Sequence, residues 1–167
     1  MPAWSHVHPI VVHFPIALLM VVPLFVALGL LWPTQRAGLH AAALILLLLG
    51  TTMAVLAVAS GLAAAGSVAR TPELLAALEA HEGLAKRTAL MYGYLSLAFI
   101  VIQMLPLLLR PGIRPRRLLL LHLLWLAVSL GASLLLIQTG HLGGRTVHEL
   151  GFHAKAEVPG KGSGQAH

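Results

Sequence analysis

The sequence predicts an all-α integral membrane protein, a four-helix bundle with a short outer amphipathic helix between helices two and three. Hydrophobic residues make up 58% of the chain and charged residues only 10%, and no charged side chain precedes Arg36. A membrane-spanning helix needs roughly 20 apolar residues, and four such stretches fit. We therefore predict a transmembrane domain over residues 1–153 and a flexible polar tail over residues 154–167.

The first two predicted spans cover residues 10–32 and 39–61. Pro9 suits the first turn of helix one, where its missing N–H costs nothing. Trp4 and Trp32 bracket that helix as interfacial aromatic residues do. Helix two carries a stripe of mostly small side chains, which lets a neighbouring helix approach closely. The stripe consists of His40, Ala43, Leu47, Gly50, Ala54, Ala57 and Gly61.

A polar segment precedes the third span. Thr71, Pro72 and Glu73 follow the order of an N-cap, a first-turn proline and a first-turn acid, which predicts the amphipathic outer helix. If this helix continues through Gly83 into the third span, a polar stripe runs along it and should face the bundle. That stripe consists of His81, Ala85, Thr88, Tyr92, Ser96, Phe99 and Gln103. The third and fourth spans are predicted over residues 88–109 and 118–139.

Basic residues predict the orientation. The loop between the third and fourth spans carries four arginines and no acid, and all five acidic residues of the chain fall on the opposite side. The positive-inside rule then puts both termini outside the cytoplasm. We call the side of the termini the outer end and the side of the arginine-rich loop the inner end.

Histidines give the main functional signal. A polar ring in hydrocarbon costs free energy unless something binds it. Seven of the ten histidines nevertheless fall at the outer end: His6, His8, His13, His81, His141, His148 and His153. At the inner end, His40 and His122 begin the second and fourth spans, and their rings could meet if those helices are neighbours. Snorkelling toward the headgroups is the alternative for this inner pair.

Two neutral imidazoles from facing helices can hold a b-type haem in a four-helix bundle. We expect an electron-transferring haem protein, with His13 and either His81 or His141 as the favoured outer ligands. Replacing His13 with alanine should then abolish or reduce haem binding. The candidate cofactor-binding residues are His13, His81, His141, His148, His40 and His122, with Arg87 and Arg145 as cations for the propionates.

Two other functions stay open. A divalent metal is one, because His81-Glu82 and His148-Glu149 each set an imidazole beside a carboxylate, a mixture that suits zinc or iron. Copper is less favoured, because the chain has no cysteine and its methionines form no motif. The candidate metal ligands are His8, His13, His81, His141 and His148. The other function is a cofactor-free scaffold or assembly subunit.

Several classes of protein are not indicated. The chain shows no nucleophile–base triad, no phosphate-binding loop and no nucleic-acid module, and its basic residues sit in short loops. The sequence therefore favours an electron-transfer or accessory subunit over a self-contained enzyme. The expected partners are the lipid bilayer and either other subunits of a membrane redox complex or a second copy of the chain.

The stretch His8-Pro-Ile-Val-Val-His13-Phe-Pro15 resembles the opening signature of a bacterial family of four-helix membrane proteins, domain of unknown function 2231. The resemblance covers residues 6–153 and includes the Gly143-Gly144 motif after helix four. The family's last motif usually has a tyrosine and a His-Gly pair, whereas this chain has Val147-His148-Glu149. The resemblance implies a multi-pass protein of the bacterial inner membrane, sometimes found near or fused to cytochrome-like domains, which favours a redox role.

Overall fold

The computed structural model describes residues 8, 10–65, 71–109, 112 and 114–148. They form four helices: α1 (His13–Leu31), α2 (Arg36–Ala65), α3 (Pro72–Leu108) and α4 (Pro115–His148). Each helix is long and apolar enough to cross a membrane, and this part of the chain contains no strand. The predicted all-α four-helix bundle is confirmed, while the predicted tail over residues 154–167 lies outside the described residues.

The helices form a ring in which each packs on the next along the chain and α1 also packs on α4. As a result α2 and α4 are diagonally opposite rather than neighbours. The small-residue stripe of α2 faces the bundle, and its Gly50 lets α1 approach closely. A Cβ at Gly50 would lie 2.6 Å from Leu19 Cδ2, so a larger residue there would push the two helices apart.

The predicted outer amphipathic helix is the first part of α3 and runs into the third span without a break. The Thr71 hydroxyl accepts a hydrogen bond from Leu74 N at 3.2 Å and caps the helix. Leu74 is buried and packs against Leu78 and Val147. Because α3 stays helical through Gly83, its polar stripe keeps to one face.

Helix α4 continues well beyond its predicted end at residue 139. Gly143 and Gly144 lie inside the helix, which reaches His148. Glycine disfavours a helix interior by roughly 1 kcal/mol, but Val147 packs against the start of α3. Packing between helices therefore outweighs the local preference of the two glycines.

The bundle has an apolar surface and a partly polar interior. Large apolar side chains such as Leu24, Leu97 and Leu120 are more than half exposed, as expected for surfaces that contact lipid. Buried among the helices are polar side chains, namely His40, Ser60, Thr88, Ser96, His122, Ser129, Ser133 and Thr146. Polar groups inside membrane bundles face neighbouring helices rather than lipid, so this interior is where a functional site is expected.

Candidate cofactor site

His40 and His122 meet at the inner end of the bundle interior. His40 is 2% exposed and His122 is 3% exposed. Their rings stack with centroids 4.8 Å apart and planes inclined by 27°. The sequence analysis made this contact conditional on α2 and α4 being neighbours. The two imidazole rings meet although α2 and α4 are diagonally opposite, because each side chain extends into the centre of the four-helix bundle.

Hydrogen bonds fix the orientation of His122. Its Nδ1 lies 2.8 Å from the Leu118 carbonyl oxygen, and its Nε2 lies 3.0 Å from the Gln103 amide group. A neutral imidazole donates through only one nitrogen, and a carbonyl oxygen can only accept. The atom of Gln103 that faces Nε2 is Oε1, which also accepts, so the neutral ring donates either from Nδ1 to Leu118 or from Nε2 to Gln103.

His40 makes a hydrogen bond with the Val26 backbone but is incompletely satisfied. Its Nε2 is buried without a hydrogen-bond partner among the described residues. The ring packs directly against α1, because Gly29 has no side chain to block it. A Cβ at Gly29 would lie 2.4 Å from His40 Cδ2. The Gly29 carbonyl accepts a hydrogen bond from Arg36 Nε at 3.1 Å, which places a cation one helical turn from His40.

Two aromatic side chains, Phe99 and Trp125, cover the histidine pair on its outer side. The Phe99 ring is fully buried and meets His40 and His122 edge-on, with centroids 5.8 Å and 6.2 Å away. Trp125 lies 4.7 Å from Phe99, and its Nε1 donates to the Leu95 carbonyl at 2.9 Å. We call Phe99 and Trp125 the aromatic layer.

At the outer end, His8 and His81 are partly buried against glycines of other helices. His8 Cε1 would lie 3.0 Å from a Cβ at Gly61, and its Nδ1 is 2.9 Å from the Ser60 hydroxyl oxygen. That hydroxyl donates to the Ala57 carbonyl, so His8 Nδ1 is the donor toward Ser60. His81 Cε1 would lie 3.0 Å from a Cβ at Gly143, and its Nδ1 is buried without a hydrogen-bond partner in the described part of the chain.

The other candidates at the outer end lie on the surface of the bundle. The side chains of His13 and His141 are exposed, and so are those of Arg87 and Arg145. His148 is the last residue of α4, and its side chain is outside the description. Helix packing thus buries His8 and His81 more deeply than His13, which the sequence analysis favoured.

A divalent metal needs several ligands around one point. Among residues 8, 10–65, 71–109, 112 and 114–148, no group of three or more His, Asp or Glu side chains could hold a metal ion. Glu82 forms an ion pair with Lys86. Glu149 and its surroundings lie outside this part of the chain, so the pair His148-Glu149 stays a prediction.

The sequence analysis missed several residues that shape the site. It assigned no role to Gly29 or Trp125, and it placed Gln103 on the α3 stripe without a contact or a function. A glutamine in a membrane-spanning stretch was itself a usable signal, because a polar amide in hydrocarbon needs a partner. Gly29 had no such signal, since its importance depends on the His40 ring that reaches it from another helix.

Adjacent glycines of α4 offer a matched test of the His81 contact. Gly143→Ala brings a methyl group to 3.0 Å from His81 Cε1, whereas a Cβ at Gly144 meets no atom within 4 Å. We expect Gly144→Ala to raise the thermal midpoint, because alanine favours a helix by about 1 kcal/mol. Gly143→Ala should lose most of that gain and shift the His81 ring resonances in NMR spectra. Equal midpoints and unchanged resonances would contradict the contact.

The donor chemistry of the inner pair fits a haem ligand set. Both histidines are buried, they come from opposite helices, and His40 Nε2 has no hydrogen-bond partner in the described residues. Donation from Nδ1 to a backbone carbonyl, which is one of the two arrangements open to His122, is the contact that usually orients a metal-bound histidine. The rings stack face to face, whereas two ligands of one iron must each aim a ring nitrogen at it, so a planar macrocycle can enter only if the rings both part and turn.

Comparison with known proteins identifies a family. A family model described as a predicted membrane protein, DUF2231, matches residues 5–156. No curated protein and no solved structure matches the chain. With four apolar spans in the structure, the match supports a multi-pass membrane protein in a lipid bilayer.

Proposed function

The chain belongs to the DUF2231 family of predicted membrane proteins, and we propose that it is a b-type haem protein that transfers electrons, with His40 and His122 as ligands. The observation that carries the proposal is a pair of buried imidazoles on diagonal helices, one with an unpartnered Nε2. A buried polar group without a partner costs roughly 1–3 kcal/mol. Ligation would remove that cost.

Both rings have groups around them that suit ligation. When His122 Nδ1 donates to the Leu118 carbonyl, its Nε2 lone pair is available to iron. Gln103 Oε1 lies 3.0 Å from that Nε2 and would have to move aside. Bound haem iron with two imidazole ligands supplies one-electron transfer. Arg36, one turn before His40, is one cation near a propionate at this end, while Arg87 and Arg145 serve that role for an outer site.

The rings must part for haem to enter. Helices α2 and α4 do not pack on each other directly, but α1 and α3 each pack on both and set their distance, so these contacts must shift when the rings separate. The Phe99 ring touches both imidazoles and must yield when they separate. Both histidines lie near the inner ends of their helices.

The proposal also covers the orientation of the protein in the membrane and its cellular location. The inner end carries five of the eleven lysines and arginines and none of the acids, and the loop between α3 and α4 alone holds four arginines, which supports a cytoplasmic inner end and both termini on the other side. A bacterial plasma membrane and a larger respiratory or redox complex follow from the redox role. Such a complex would supply the electron donor and acceptor.

Four single variants test the ligand assignment. His40→Ala and His122→Ala, each purified with haem supplied, are expected to hold less than about a tenth of the wild-type haem, because each removes one of two ligands. His13→Ala and His141→Ala remove exposed imidazoles and are expected to keep it. Haem content is measured by pyridine haemochrome absorbance against protein mass.

Other outcomes for the haem content of these variants would contradict the assignment. Loss of haem in His13→Ala or His141→Ala, with full loading of the inner variants, would move the site to the outer end. Full loading of all four variants would contradict both ligand sets. A wild-type protein that never takes up haem would favour the scaffold function.

A further inference from the structure

An apolar groove of about 560 Å³ lies between α3 and α4 on the lipid-facing surface of the bundle. Three buried side chains form its base, Leu95 and Ile102 of α3 and Trp125 of α4. Exposed side chains such as Leu124 and Val128 form its walls. We call it the α3–α4 groove. Because it opens on the apolar surface, acyl chains of the bilayer can reach it.

The α3–α4 groove leads at the inner end to the arginines around the start of α4. Arg117 lies four positions before Leu121, which lines the groove, and residues four apart lie on the same helix face. The side chains of Arg114, Arg116 and Arg117 are exposed. None of the three has an ion-pair partner within the described part of the chain. The inner mouth of the groove is therefore positively charged.

The peptide dipoles of α4 add to this positive charge. The N-terminus of a helix carries a partial positive charge, which disfavours cations nearby and favours anions. Arg116 and Arg117 nevertheless lie in the first turn of α4, which contains no acidic residue. The loop between α3 and α4 has no acid either. An anion bound at this point would neutralise charges that the described residues leave uncompensated.

We propose that an anionic phospholipid of the leaflet at the inner end binds to the α3–α4 groove, with its phosphate at Arg117 and Arg114 and one acyl chain in the groove. Arginine forms paired hydrogen bonds with phosphate oxygens, and basic clusters at the ends of transmembrane helices attract anionic headgroups. The arginines supply the headgroup contact, and the apolar lining of the groove supplies the contact with the acyl chain.

The length of the α4 wall fits one leaflet. Arg117 and Val128 are 11 positions apart on α4, which is about 17 Å along the helix axis at roughly 1.5 Å per residue. Half of the hydrocarbon core of a bilayer is about 15 Å thick. An acyl chain whose headgroup lies at Arg117 therefore extends along this wall and passes Trp125.

Charge favours a phospholipid over a second copy of the chain. Two copies in one membrane orientation that packed through this groove would bring their α3–α4 loops together, each with four arginines and no acid. Such a contact between like charges is unfavourable. A headgroup phosphate instead attracts the same arginines.

Quenching of Trp125 fluorescence by brominated acyl chains tests the proposal. Trp4 and Trp32 are replaced with phenylalanine, so that Trp125 is the only tryptophan of the chain. The protein is reconstituted in phosphatidylcholine vesicles that contain brominated phosphatidylglycerol or brominated phosphatidylcholine at matched mole fractions. We expect phosphatidylglycerol to reach half of its maximal quenching at a mole fraction about fivefold lower for each arginine that contacts the headgroup. Both lipids are compared on the same preparation, so haem content does not affect the result.

Two pairs of variants locate the lipid. Arg117→Gln should raise the half-quenching fraction of phosphatidylglycerol about fivefold. Arg116→Gln, about 100° away around the helix, should change it by about twofold or less, because its charge is separated from the groove and screened. Ala98→Leu fills part of the groove and should weaken quenching by both lipids. Ala127→Leu is its control, because Ala127 is exposed on α4 and does not line the groove.

Three results would overturn the proposal. Equal quenching by the two brominated lipids would show non-specific lipid contact. Equal effects of Arg117→Gln and Arg116→Gln would show a general attraction to the basic surface instead of a bound headgroup. Equal effects of Ala98→Leu and Ala127→Leu would place the acyl chain outside the α3–α4 groove.

Discussion

Gly29→Ala is expected to displace the His40 ring and to destabilise the bundle. The new Cβ would lie 2.4 Å from His40 Cδ2 and 2.6 Å from Nε2. The ring has little room to retreat, because His122 stacks on it and Phe99 meets its edge. Overpacking of this kind costs about 1–3 kcal/mol, or roughly 2–4 °C of thermal midpoint per kcal/mol for a chain of this size. The midpoint is measured in detergent, and haem content should fall with it.

Gly38→Ala is the matched control for this substitution. Gly38 lies at the start of α2, close to His40 in sequence, and a Cβ there meets nothing within 4 Å. Alanine is the better helix former by about 1 kcal/mol, so the midpoint should stay or rise. If the Gly29 and Gly38 variants behave alike, then His40 does not pack against α1 in the way described.

Phe99→Ala is expected to produce the largest loss of stability of any single change in the aromatic layer. The ring is completely buried and contacts His40, His122 and Trp125. Truncating a buried phenylalanine leaves a cavity and typically costs about 3–5 kcal/mol. Unfolding in mixed micelles with increasing SDS fraction measures the change, with tryptophan fluorescence as the signal.

Phe14→Ala removes the same ring from the surface of α1, where 52% of the residue is exposed. Substitutions at such sites usually change stability by about 0.5 kcal/mol or less. A Phe99→Ala protein that unfolds no earlier than Phe14→Ala would show that the aromatic layer does not stabilise the interior.

Periodicity in the sequence predicted which faces are buried. The stripe of α3 from His81 to Gln103 faces the interior as predicted. The stripe of α2 from His40 to Gly61, for which only the close approach of a neighbouring helix was predicted, faces it too. These patterns indicate burial because small and polar residues in a membrane helix are favoured at contacts with other helices and not at the surface that faces lipid. The four-helix architecture follows from the same reasoning, since each apolar stretch has to cross the bilayer as a helix.

Contacts between distant residues could not be read in the same way. Nothing in the sequence says that α2 and α4 are diagonal, so the meeting of His40 with His122 was conditional. The emphasis on His13 came from a motif, whereas its exposure depends on how α1 packs. The continuity of α4 through its glycine pair likewise depends on the Leu74–Val147 contact. In each case the outcome depends on tertiary packing, which the local sequence does not indicate.

A dithionite-reduced minus oxidised absorption spectrum tests the central claim most directly. The full-length protein is purified in detergent after expression with haem supplied, and haem is quantified on the same sample. The account predicts a sharp b-type α-band at stoichiometric haem, lost when His40 and His122 are both replaced with alanine. A featureless spectrum of the folded wild-type protein, even after excess haem is offered, would contradict it.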